Sequence, residues 1–393
     1  MRRLRILHIG KYFPPAPGGM ETYLNDLMNV QGRHGLSVSA VVHSTKRSLT
    51  DVQEVLHPLS SQACEVTRAA RWFNLGYVPI SPLILFSLAK KIRSFRPDII
   101  HLHYPNASAL WLLLSPAARK VPWVIHWQSD ILTNSSGWKL KAAYKIYQYF
   151  EKNLLKKTAK IIVTSPNYLS GSTTLSIFRE KCIVIPLGLD PAKLPSPESI
   201  ELRREISPDI LYLGRLAAYK GLLDLLEAVH ILNTATCWIA GAGEMTVVLK
   251  SEIKRLGLAE RVKLIGDVSE DEKWCLYRNA GVFVLPSTEK TEAFGLVLLE
   301  AAHCGARLVI TDIKGSGTAW VGRQLSRAWV ADPSNPEDLA KKISTALGFQ
   351  EEPSASNREN LGLPSVFNLE TQIPQILSVY ADLVPRVPSQ SGP

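Results

Sequence analysis

The stretch Ile210-Leu211-Tyr212-Leu213-Gly214 decides how the chain is organised, because a pattern of strands and helices begins there for a second time. It is a short apolar run that ends in glycine, and a helical segment, Leu222–Asn233, follows it. Short apolar strands between amphipathic helices are typical of a parallel sheet that is covered on both faces. We therefore predict that this stretch belongs to a second α/β domain.

The alternation of strands and helices continues on both sides of this stretch. Downstream, strands and helices are predicted in turn at Thr236–Ala240, Glu244–Leu256, Val262–Ile265, Glu270–Ala280, Val282–Leu285, Phe294–Cys304 and Arg307–Ile310. Upstream, strands are predicted at Leu4–Ile9, Val38–Val42, Ile99–Leu102, Val121–His126, Ile161–Thr164 and Cys182–Ile185, and helices at Glu21–His34, Pro82–Phe95, Ala107–Ala118 and Trp138–Thr158. Two such series predict an α/β fold with two doubly wound, Rossmann-like domains.

The boundary between the two domains is expected in Pro186–Pro191, a stretch punctuated by proline and glycine. We predict an N-terminal domain at 1–188 and a C-terminal domain at 189–368. A last apolar-periodic segment predicts a helix at 369–385 that packs back toward the N-terminal domain. The tail 386–393 is expected to be disordered.

Composition limits the class of protein. The chain has 393 residues, of which 46% are hydrophobic and 20% charged, as is usual for a globular protein of two or three domains. Its five cysteines are scattered and form no CxxC pair, which argues against a disulfide framework or a zinc site. The sequence shows neither a run of eighteen apolar residues nor a cleavable leader, so we expect a cytoplasmic protein.

Charge is divided unevenly between the two halves. Residues 1–188 carry 24 Lys and Arg against 9 Asp and Glu, a net +15, whereas residues 189–393 carry 21 against 26, a net −5. This asymmetry indicates an anionic partner for the first half. Trp138–Lys160 interleaves lysines with aromatic residues, as expected of a helix on an anionic membrane surface. The alternative is an ordinary surface helix whose aromatic residues pack inward.

Two motifs of the second half carry charge at places where a ligand can bind. In Glu292-Ala293-Phe294-Gly295-Leu296-Val297-Leu298-Leu299-Glu300, one glutamate precedes a helix and the other lies within it. A ribose diol would satisfy a buried helical glutamate, and free amides at a helix start suit a phosphate. In Gly214–Gly221, Arg215 and Lys220 follow a strand and are placed to bind a diphosphate. Solvated glutamates and a solvated basic turn are the alternatives.

Three further features are weaker signals by themselves. Gly18-Gly19 precedes a helix and allows backbone to approach a ligand. Neither this loop nor Gly241-Ala242-Gly243 matches GxGxxG, which disfavours a dinucleotide dehydrogenase. His126 and Asp130 come at the end of a strand, and so does His103, where each either faces a ligand or is structural.

Together and in this order, these motifs resemble those of the GT-B fold retaining glycosyltransferases of family 4. The resemblance covers nearly the whole chain and rests on the glycine loop Gly10–Glu21, the strand end His126–Asp130, the basic turn Gly214–Gly221 and the Glu292–Glu300 motif. Within the family the chain is most similar to bacterial mannosyl- and rhamnosyltransferases of surface polysaccharide synthesis, through Asp98–Asn106, His126–Ile131 and Gly315–Val321.

The resemblance implies two domains that face a central cleft, and it assigns roles to individual residues. Arg215 and Lys220 are expected to neutralise the leaving diphosphate. Glu292 is expected to hold the donor sugar, and His126 to lie beside the anomeric carbon. The remaining donor-binding residues are expected to be Gly18, Gly19, Gly214, Gly243, Phe294, Gly295, Leu296 and Glu300. The residues on the acceptor side are expected to be Glu21, His103 and Asp130.

The same resemblance implies the substrates. The donor is expected to be a nucleotide-diphosphate sugar, GDP-mannose or a UDP-sugar. The acceptor is expected to be a glycan that is linked to a lipid on the inner face of the cytoplasmic membrane. No cofactor, metal or nucleic acid is expected. Two other functions stay open: a GT-B fold UDP-sugar epimerase, and a non-enzymatic protein that binds nucleotide-sugars or nucleic acid.

Overall fold

The computed structural model describes residues 3–56, 64–75, 78–81, 83–131, 138–202, 207–349 and 363–384. The chain divides into two compact units. The first comprises Met1–Asp190 with Leu369–Pro393, and the second Pro191–Asn368. The division after Asp190 falls inside the stretch 186–191. The tail 386–393 lies outside the described residues.

The first unit is built on a sheet whose strand order is β10-β9-β8-β7-β1-β2-β4-β3. All neighbouring strands are parallel except β3, which runs antiparallel to β4. A separate hairpin consists of β5 and β6. The strands are β1 Arg5–Ile9, β2 Ser37–His43, β3 Val52–Leu56, β4 Cys64–Ala69, β5 Phe73–Leu75, β6 Val78–Ile80, β7 Ile99–Tyr104, β8 Trp123–Trp127, β9 Lys160–Val163 and β10 Cys182–Val184.

Helices cover this sheet, and the last of them comes from the far end of the chain. They are α1 Gly19–Arg33, α2 Ile84–Phe95, α3 Trp138–Lys157, α4 Pro166–Gly171, α5 Thr173–Ser176 and, at the end of the chain, α12 Leu369–Ala381. Helix α12 packs on α1. Arg33 at the end of α1 donates to Asp190 and Glu370, over 2.5 Å and 2.8 Å. These charged hydrogen bonds fasten the start of α12 to the first unit.

The second unit is a parallel sheet of order β13-β12-β11-β14-β15-β16 with helices between its strands. Its strands are β11 Ile210–Leu213, β12 Cys237–Ala240, β13 Val262–Gly266, β14 Val282–Leu285, β15 Leu308–Thr311 and β16 Ala328–Ala331. Its helices are α6 Leu222–Ile231, α7 Thr246–Arg255, α8 Glu270–Asn279, α9 Leu296–His303, α10 Thr318–Arg323 and α11 Pro336–Gly348. The order reverses between β11 and β14, which is where ligands bind in open α/β sheets.

Apolar strands form the core of both sheets. In the first unit all six residues of β7 are buried, and in the second unit all four of β14. Strands that are buried on both faces read as continuous apolar runs, which is why the sequence pattern identifies them. Among the described residues, no helix is both long enough and apolar enough to cross a bilayer.

Two of the differences between predicted and observed helices have a clear physical cause. The segment Ala107–Ala118 is not an α-helix: Ala107–Leu114 and Ala118–Lys120 are separate 3-10 turns. Pro116 lies between them, has no amide proton to donate and keeps the preceding residue out of helical geometry. The helix predicted from Phe294 begins two residues later, because Gly295 has a φ of +80° and precedes the first helical turn.

Candidate active site

The basic turn of the second unit lies between β11 and α6, at the carboxyl edge of the sheet. Arg215 and Lys220 both lie in it, and Ala218–Lys220 is a 3-10 turn. Gly221 closes the turn with a φ of +65°, and a Cβ here would lie 1.9 Å from the carbonyl oxygen of Pro286. Because only glycine fits, the turn packs directly against the loop that follows β14.

That loop carries Glu292, whose carboxylate forms an ion pair with Lys220 Nζ. Both side chains are largely buried, with 11% of Lys220 and 10% of Glu292 exposed. Burial, the largest single cause, lowers the pKa of Lys220, but the charge of Glu292 together with Tyr219, Tyr212 and the hydrogen bond to Glu292 raises it overall. The structure thus brings together two predicted site residues that are 72 positions apart in sequence.

Buried hydroxyl groups hold the Glu292 loop in place. Ser316 donates to the carbonyl oxygen of Glu292, and Thr311 donates to that of Ser287. The Ser287 hydroxyl also lies 3.4 Å from Oε2 of Glu292. All three hydroxyl side chains are at most 2% exposed. The fold itself therefore positions this carboxylate.

Two positive charges share the short basic turn. The Arg215 side chain is exposed, and its guanidinium carbon lies 5.8 Å from the centroid of the Tyr219 ring. Lys220 Nζ lies 5.3 Å from the same centroid. A planar guanidinium and an ammonium at the carboxyl edge of a sheet suit a diphosphate, since one binds it as a fork and the other as a point charge.

Glu300 lies on α9, and two residues of α8 hold its carboxylate. Lys273 Nζ lies 3.1 Å from Oε1, and the Tyr277 hydroxyl donates to Oε2 over 3.0 Å. Lys273 also pairs with Glu270 at 2.7 Å. Sequence reasoning missed Lys273 and Tyr277, although their spacing of four residues places them on one face of a helix.

The pKa values around Glu300 follow from burial and charge. Burial lowers the pKa of Lys273, but Glu300 and Glu270 outweigh burial and raise it. Burial and, after it, the charge of Glu300 raise the pKa of Tyr277 far above its usual range. Lys273 is thus a cation and Tyr277 a neutral donor at neutral pH.

The other predicted donor-binding residues of the second unit lie at the same sheet edge. Gly214 follows the last residue of β11, and Gly243 lies in the turn after β12, where a Cβ would come within 2.3 Å of the Leu216 carbonyl oxygen. Phe294 is 3% exposed and precedes the helix that begins at Leu296. The turn that contains Gly243 therefore packs directly onto the basic turn.

In the first unit, the predicted glycine loop lies at the start of α1. Gly18 precedes the helix, Gly19 is its first residue, and Glu21 lies in its first turn with 8% of its surface exposed. Arg68 donates to the carbonyl oxygens of Phe13 and Pro14, over 3.2 Å and 2.6 Å. These bonds fix the loop that leads from β1 into α1.

His126 and His103 lie inside the first unit. His126 is fully buried, and among the described residues neither of its ring nitrogens has a hydrogen-bond partner. Burial and the neighbouring His8 lower its pKa to about 3, so the ring is neutral. His103 is 2% exposed and hydrogen-bonded to His8 and Gln128. Contact between His126 and a sugar stays a prediction, and the burial of the ring argues against it.

Asp130 lies three residues beyond β8, and protein groups bind its carboxylate. The Trp127 indole donates to Oδ1 over 2.9 Å and the Ser172 hydroxyl to the same oxygen over 3.0 Å. The Asp130 backbone amide donates to the Tyr168 hydroxyl at 2.5 Å. These contacts give Asp130 a structural role in the loop after β8, beside its predicted role on the acceptor side.

The fold is shared with solved structures. Sucrose-phosphate synthase from Thermosynechococcus elongatus superimposes with a TM-score of 0.74, at 19% identity, over 97% of this chain and 99% of that one. This likeness shows the fold, GT-B, in which each unit is a Rossmann-like α/β domain.

Family models match both units. The model for group 1 glycosyl transferases matches residues 198–360, and the model for a glycosyl transferase 4-like domain matches residues 18–188. Together they span most of the chain, which therefore belongs to the group 1, GT4-like glycosyltransferases.

Two relatives match most of the chain. O-antigen chain mannosyltransferase C of Escherichia coli is 27% identical over 391 residues, covering 97% of this chain and 99% of its own. D-rhamnosyltransferase WbpZ of Pseudomonas aeruginosa is 28% identical over 340 residues, covering 85% and 84%. The protein is thus an enzyme of the glycosyltransferase class.

Proposed function

We propose that this glycosyltransferase is a retaining hexosyltransferase that moves a mannose-like sugar from a nucleotide-diphosphate sugar to a glycan. The observation that carries the proposal is the Lys220–Glu292 ion pair beside Arg215, at the carboxyl edge of the second sheet. Ligands of open α/β sheets bind at this edge. GDP-mannose or a UDP-sugar is the proposed donor.

In this proposal the charge that develops on the leaving diphosphate is met by Arg215 and Lys220. The bond between the anomeric carbon and the diphosphate breaks, and the acceptor oxygen bonds to that carbon on the same face. The leaving phosphate oxygen takes the acceptor's proton, so no protein nucleophile is required. Such charge stabilisation is usually the largest catalytic contribution, and losing one donor group costs about 2.7–4 kcal/mol.

The two glutamates have separate proposed tasks. Glu292 keeps Lys220 charged and oriented, and it accepts hydrogen bonds from the donor sugar. Glu300 accepts hydrogen bonds from the ribose hydroxyls, while Lys273 and Tyr277 hold its carboxylate. A carboxylate that is already oriented binds a diol with a smaller loss of side-chain freedom.

The names of the relatives support a sugar and a process. An O-antigen mannosyltransferase that is similar over 97% of this chain supports a mannose-like donor sugar and a role in bacterial surface polysaccharide synthesis. The rhamnosyltransferase supports a 6-deoxyhexose as the second candidate sugar.

A panel of nucleotide-sugars tests the proposed transfer. The protein is incubated with GDP-mannose, GDP-rhamnose, UDP-glucose and UDP-galactose, with and without a glycan acceptor, and released nucleotide and product anomers are measured. Release of GDP or UDP with an α-linked product from an α-linked donor is expected. Conversion of the nucleotide-sugar to its epimer without release, or an inverted product, would overturn the assignment.

We also propose that the first unit works on an anionic membrane surface, where it meets a lipid-linked acceptor. Helix α3 carries the supporting feature. Tyr149 and Phe150 are 68% and 42% exposed, and Lys145, Lys152 and Lys156 are exposed on the same helix. Exposed aromatic residues among lysines are typical of a helix at a bilayer interface. The predicted side chains of Trp138, Lys139, Lys141 and Tyr144 lie outside the described ones.

The one acidic residue of α3 does not weaken this positive surface. Glu151 is 2% exposed, and its carboxyl group accepts a hydrogen bond from the Tyr104 hydroxyl. Burial, as the main cause, raises its pKa to about 7. Each Lys or Arg near an anionic surface contributes about 1 kcal/mol, so three or four engaged residues suffice for reversible binding.

Vesicle co-sedimentation tests the membrane proposal. Binding should rise with the fraction of phosphatidylglycerol, fall with salt, and weaken in a Lys152→Glu, Lys156→Glu, Lys157→Glu variant. The matched control changes three lysines of the second unit in the same way: Lys250, Lys254 and Lys341. Equal recovery with neutral and anionic vesicles would leave α3 as an ordinary surface helix.

A further inference from the structure

A chain of hydrogen bonds runs through the core of the first unit and links its sheet to α1 and α12. We call it the core chain; its members, in order, are Gln128, His103, His8, Gln31, Tyr380 and His101. The successive distances between the bonded atoms are 3.2, 3.1, 2.7, 3.0 and 2.5 Å. None of the six residues is more than 5% exposed.

One amide group sets the direction of the first three hydrogen bonds. Gln128 Nε2 can only donate, so Nδ1 of His103 accepts and the proton of His103 is on Nε2. This proton is donated to Nδ1 of His8, whose own proton is then on Nε2. His8 Nε2 donates to Oε1 of Gln31, which can only accept.

The second amide continues in the same direction. Gln31 Nε2 donates to the Tyr380 hydroxyl oxygen, so the hydroxyl proton goes to Nδ1 of His101. The proton of His101 is then on Nε2, an atom without a hydrogen-bond partner among the described residues. With both amides in the orientation of this structure, the chain has one direction, and each link has one donor and one acceptor.

The rings of the core chain are neutral, which this arrangement requires. Burial, partly offset by the hydrogen bond that His8 donates to Gln31, lowers the pKa of His8 to about 4. Burial and the neighbouring imidazoles also lower the pKa values of His101 and His103. A neutral imidazole has one donor and one acceptor nitrogen, so the direction is preserved through each ring.

Gln128 is the member of the core chain that reaches the edge of the sheet. It follows the last residue of β8, and its backbone amide donates to the Tyr104 carbonyl oxygen over 2.9 Å. Its Nε2 is committed to His103. Its Oε1 accepts no hydrogen bond from a described residue, and protein atoms do not fully enclose this oxygen. As far as the described residues go, the amide oxygen is thus available at the carboxyl edge.

We propose that Gln128 Oε1 accepts a hydrogen bond from a hydroxyl group of a sugar that binds at the carboxyl edge of the first unit's sheet. We also propose that the core chain fixes this orientation of the Gln128 amide. The proposal rests on the proposed glycosyl transfer. Gln128 is then a binding residue, and Tyr380 and Gln31 are positioning residues that act through His8 and His103. Helix α12, from the end of the chain, contributes to the site in this way.

His126 is the alternative group for this contact, and its surroundings exclude it in this structure. It lies two residues earlier, within β8, is fully buried, and stacks on His101 with ring centroids 5.6 Å apart. Gln128 Oε1 is not enclosed in this way, whereas His126 would first have to become exposed before a sugar could contact it.

Tautomers of the histidine rings test the core chain without any substrate. Long-range ¹H–¹⁵N NMR spectra of the full-length protein at pH 7 should show the Nε2–H tautomer for His8, His101 and His103. In Tyr380→Phe the amide of Gln31 loses its acceptor, so His8 and His103 should become mixtures of tautomers. An Nδ1–H tautomer of His8 or His103 in the wild-type protein would overturn the direction that we infer.

The control for Tyr380→Phe is Tyr23→Phe. Tyr23 is 1% exposed, its ring centroid lies 5.1 Å from that of His126, and its hydroxyl has no partner among the described residues. This substitution removes a hydroxyl from the same cluster but not from the core chain. The tautomers of His8 and His103 should therefore be unchanged.

Kinetics test the contact with the sugar, with GDP-mannose and UDP-glucose as donors. Loss of one neutral hydrogen bond to a substrate lowers kcat/KM by about tenfold, so a decrease of about that size is expected in Gln128→Met. Tyr380→Phe should lower it by about threefold and Tyr23→Phe should leave it unchanged, as expected when a hydroxyl acts through Gln128. A wild-type kcat/KM in Gln128→Met, with unchanged tautomers, would overturn the contact.

The two measurements separate failure of this inference from failure of the proposed function. If the wild-type protein releases no nucleotide from any nucleotide-sugar of the panel, the proposed transfer and the sugar contact both fail. The tautomers still decide whether the core chain exists. If transfer is robust and Gln128→Met matches the wild type, only the role of Gln128 fails.

Discussion

The two units keep their polar groups in different charge states. In the second unit the polar cluster consists of two lysine–carboxylate pairs, Lys220–Glu292 and Lys273–Glu300, whose side chains are 10–13% exposed. In the first unit it consists of four imidazoles that are at most 2% exposed and neutral. Partial exposure and an oppositely charged partner keep the lysine–carboxylate pairs charged, whereas full burial keeps the imidazoles neutral.

This difference indicates how the units share the proposed work. A lysine at the edge of a sheet meets the charge of a diphosphate, because it stays protonated and an anion can reach it. A neutral, buried imidazole cannot do so, but it can orient a neighbouring amide. We infer that the second unit binds charge and the first unit orients uncharged hydroxyl groups. The following predictions test that division, from the largest expected effect to the smallest.

Removal of the charge of Lys220 should have the largest effect. Lys220→Ala should lower kcat by about a hundredfold or more, since electrostatic stabilisation of a leaving group is worth several kcal/mol. The assay is nucleotide release at saturating donor, with Lys250→Ala as a control for loss of a lysine elsewhere in the unit. Near wild-type turnover in folded Lys220→Ala would show that this charge is not catalytic.

Acid should destabilise the first unit before the second. His8 has a pKa of about 4 in the folded protein and 6.5 as its ordinary value. Between pH 6.5 and 4, His8 therefore binds a proton in the unfolded chain but not in the folded protein. The contribution of neutral His8 to the free energy of unfolding is complete above pH 6.5 and is lost as pH falls toward 4, an effect of about 3 kcal/mol.

Hydrogen exchange followed by mass spectrometry checks this at pH 7, 5.5 and 4.5. Protection in β1 and β7 should fall with pH, after correction for the intrinsic exchange rate, while protection in β11 and β14 should fall less. Equal loss in both units would mean that the histidine cluster does not set the acid sensitivity of the first unit.

The support of Glu300 should affect donor binding more than turnover. Lys273→Met leaves the carboxylate with the Tyr277 hydroxyl alone, so KM for the donor should rise by about fivefold, an effect of about 1 kcal/mol. The increase should disappear with a 2′,3′-dideoxyribose donor, which has no diol to bind Glu300. Lys254→Met, an exposed lysine of α7, is the control. A fall in kcat with unchanged KM would contradict this role.

Chelation should have the smallest effect. Arg215 and Lys220 are proposed to supply the positive charge at the diphosphate, so nucleotide release should persist in excess EDTA. The measurement compares initial rates before and after chelation. Loss of activity that Mg²⁺ or Mn²⁺ restores would show that the two side chains do not suffice.

The sequence pattern locates most of the parallel strands and the helices between them, but it does not locate every strand of the sheets. Strand β14 reads as a continuous apolar run and was predicted with the bounds that the structure has. Strand β3 has the sequence VQEVL, pairs along one side only, and was missed. Strands β4, β5 and β6 and helices α4, α5, α10 and α11 are also missed, and so is β16, the last strand of the second sheet. An edge strand is partly solvated, so its sequence carries a weaker apolar signal.

The same reasoning identified motifs of the candidate site but not their partners. Arg215, Lys220, Glu292 and Glu300 stand out because charged residues flank apolar strands and helices at recognisable spacings. Lys273 and Tyr277 carry no such signal, since a lysine and a tyrosine on a helix are common. The sequence pattern does not single out Gln128 either. It points to the neighbouring His126, and a strand pattern does not reveal that this histidine is buried.

The sequence by itself determined the two α/β halves, their order and the strand ends at which ligands bind, because apolar periodicity is a local property of the chain. Only the tertiary structure decided which side chains meet. Lys220 reaches Glu292 across 72 residues, and Tyr380 reaches His101 across 279. Such contacts depend on how helices pack on a sheet, and the same packing excludes water from four histidines and so keeps them neutral.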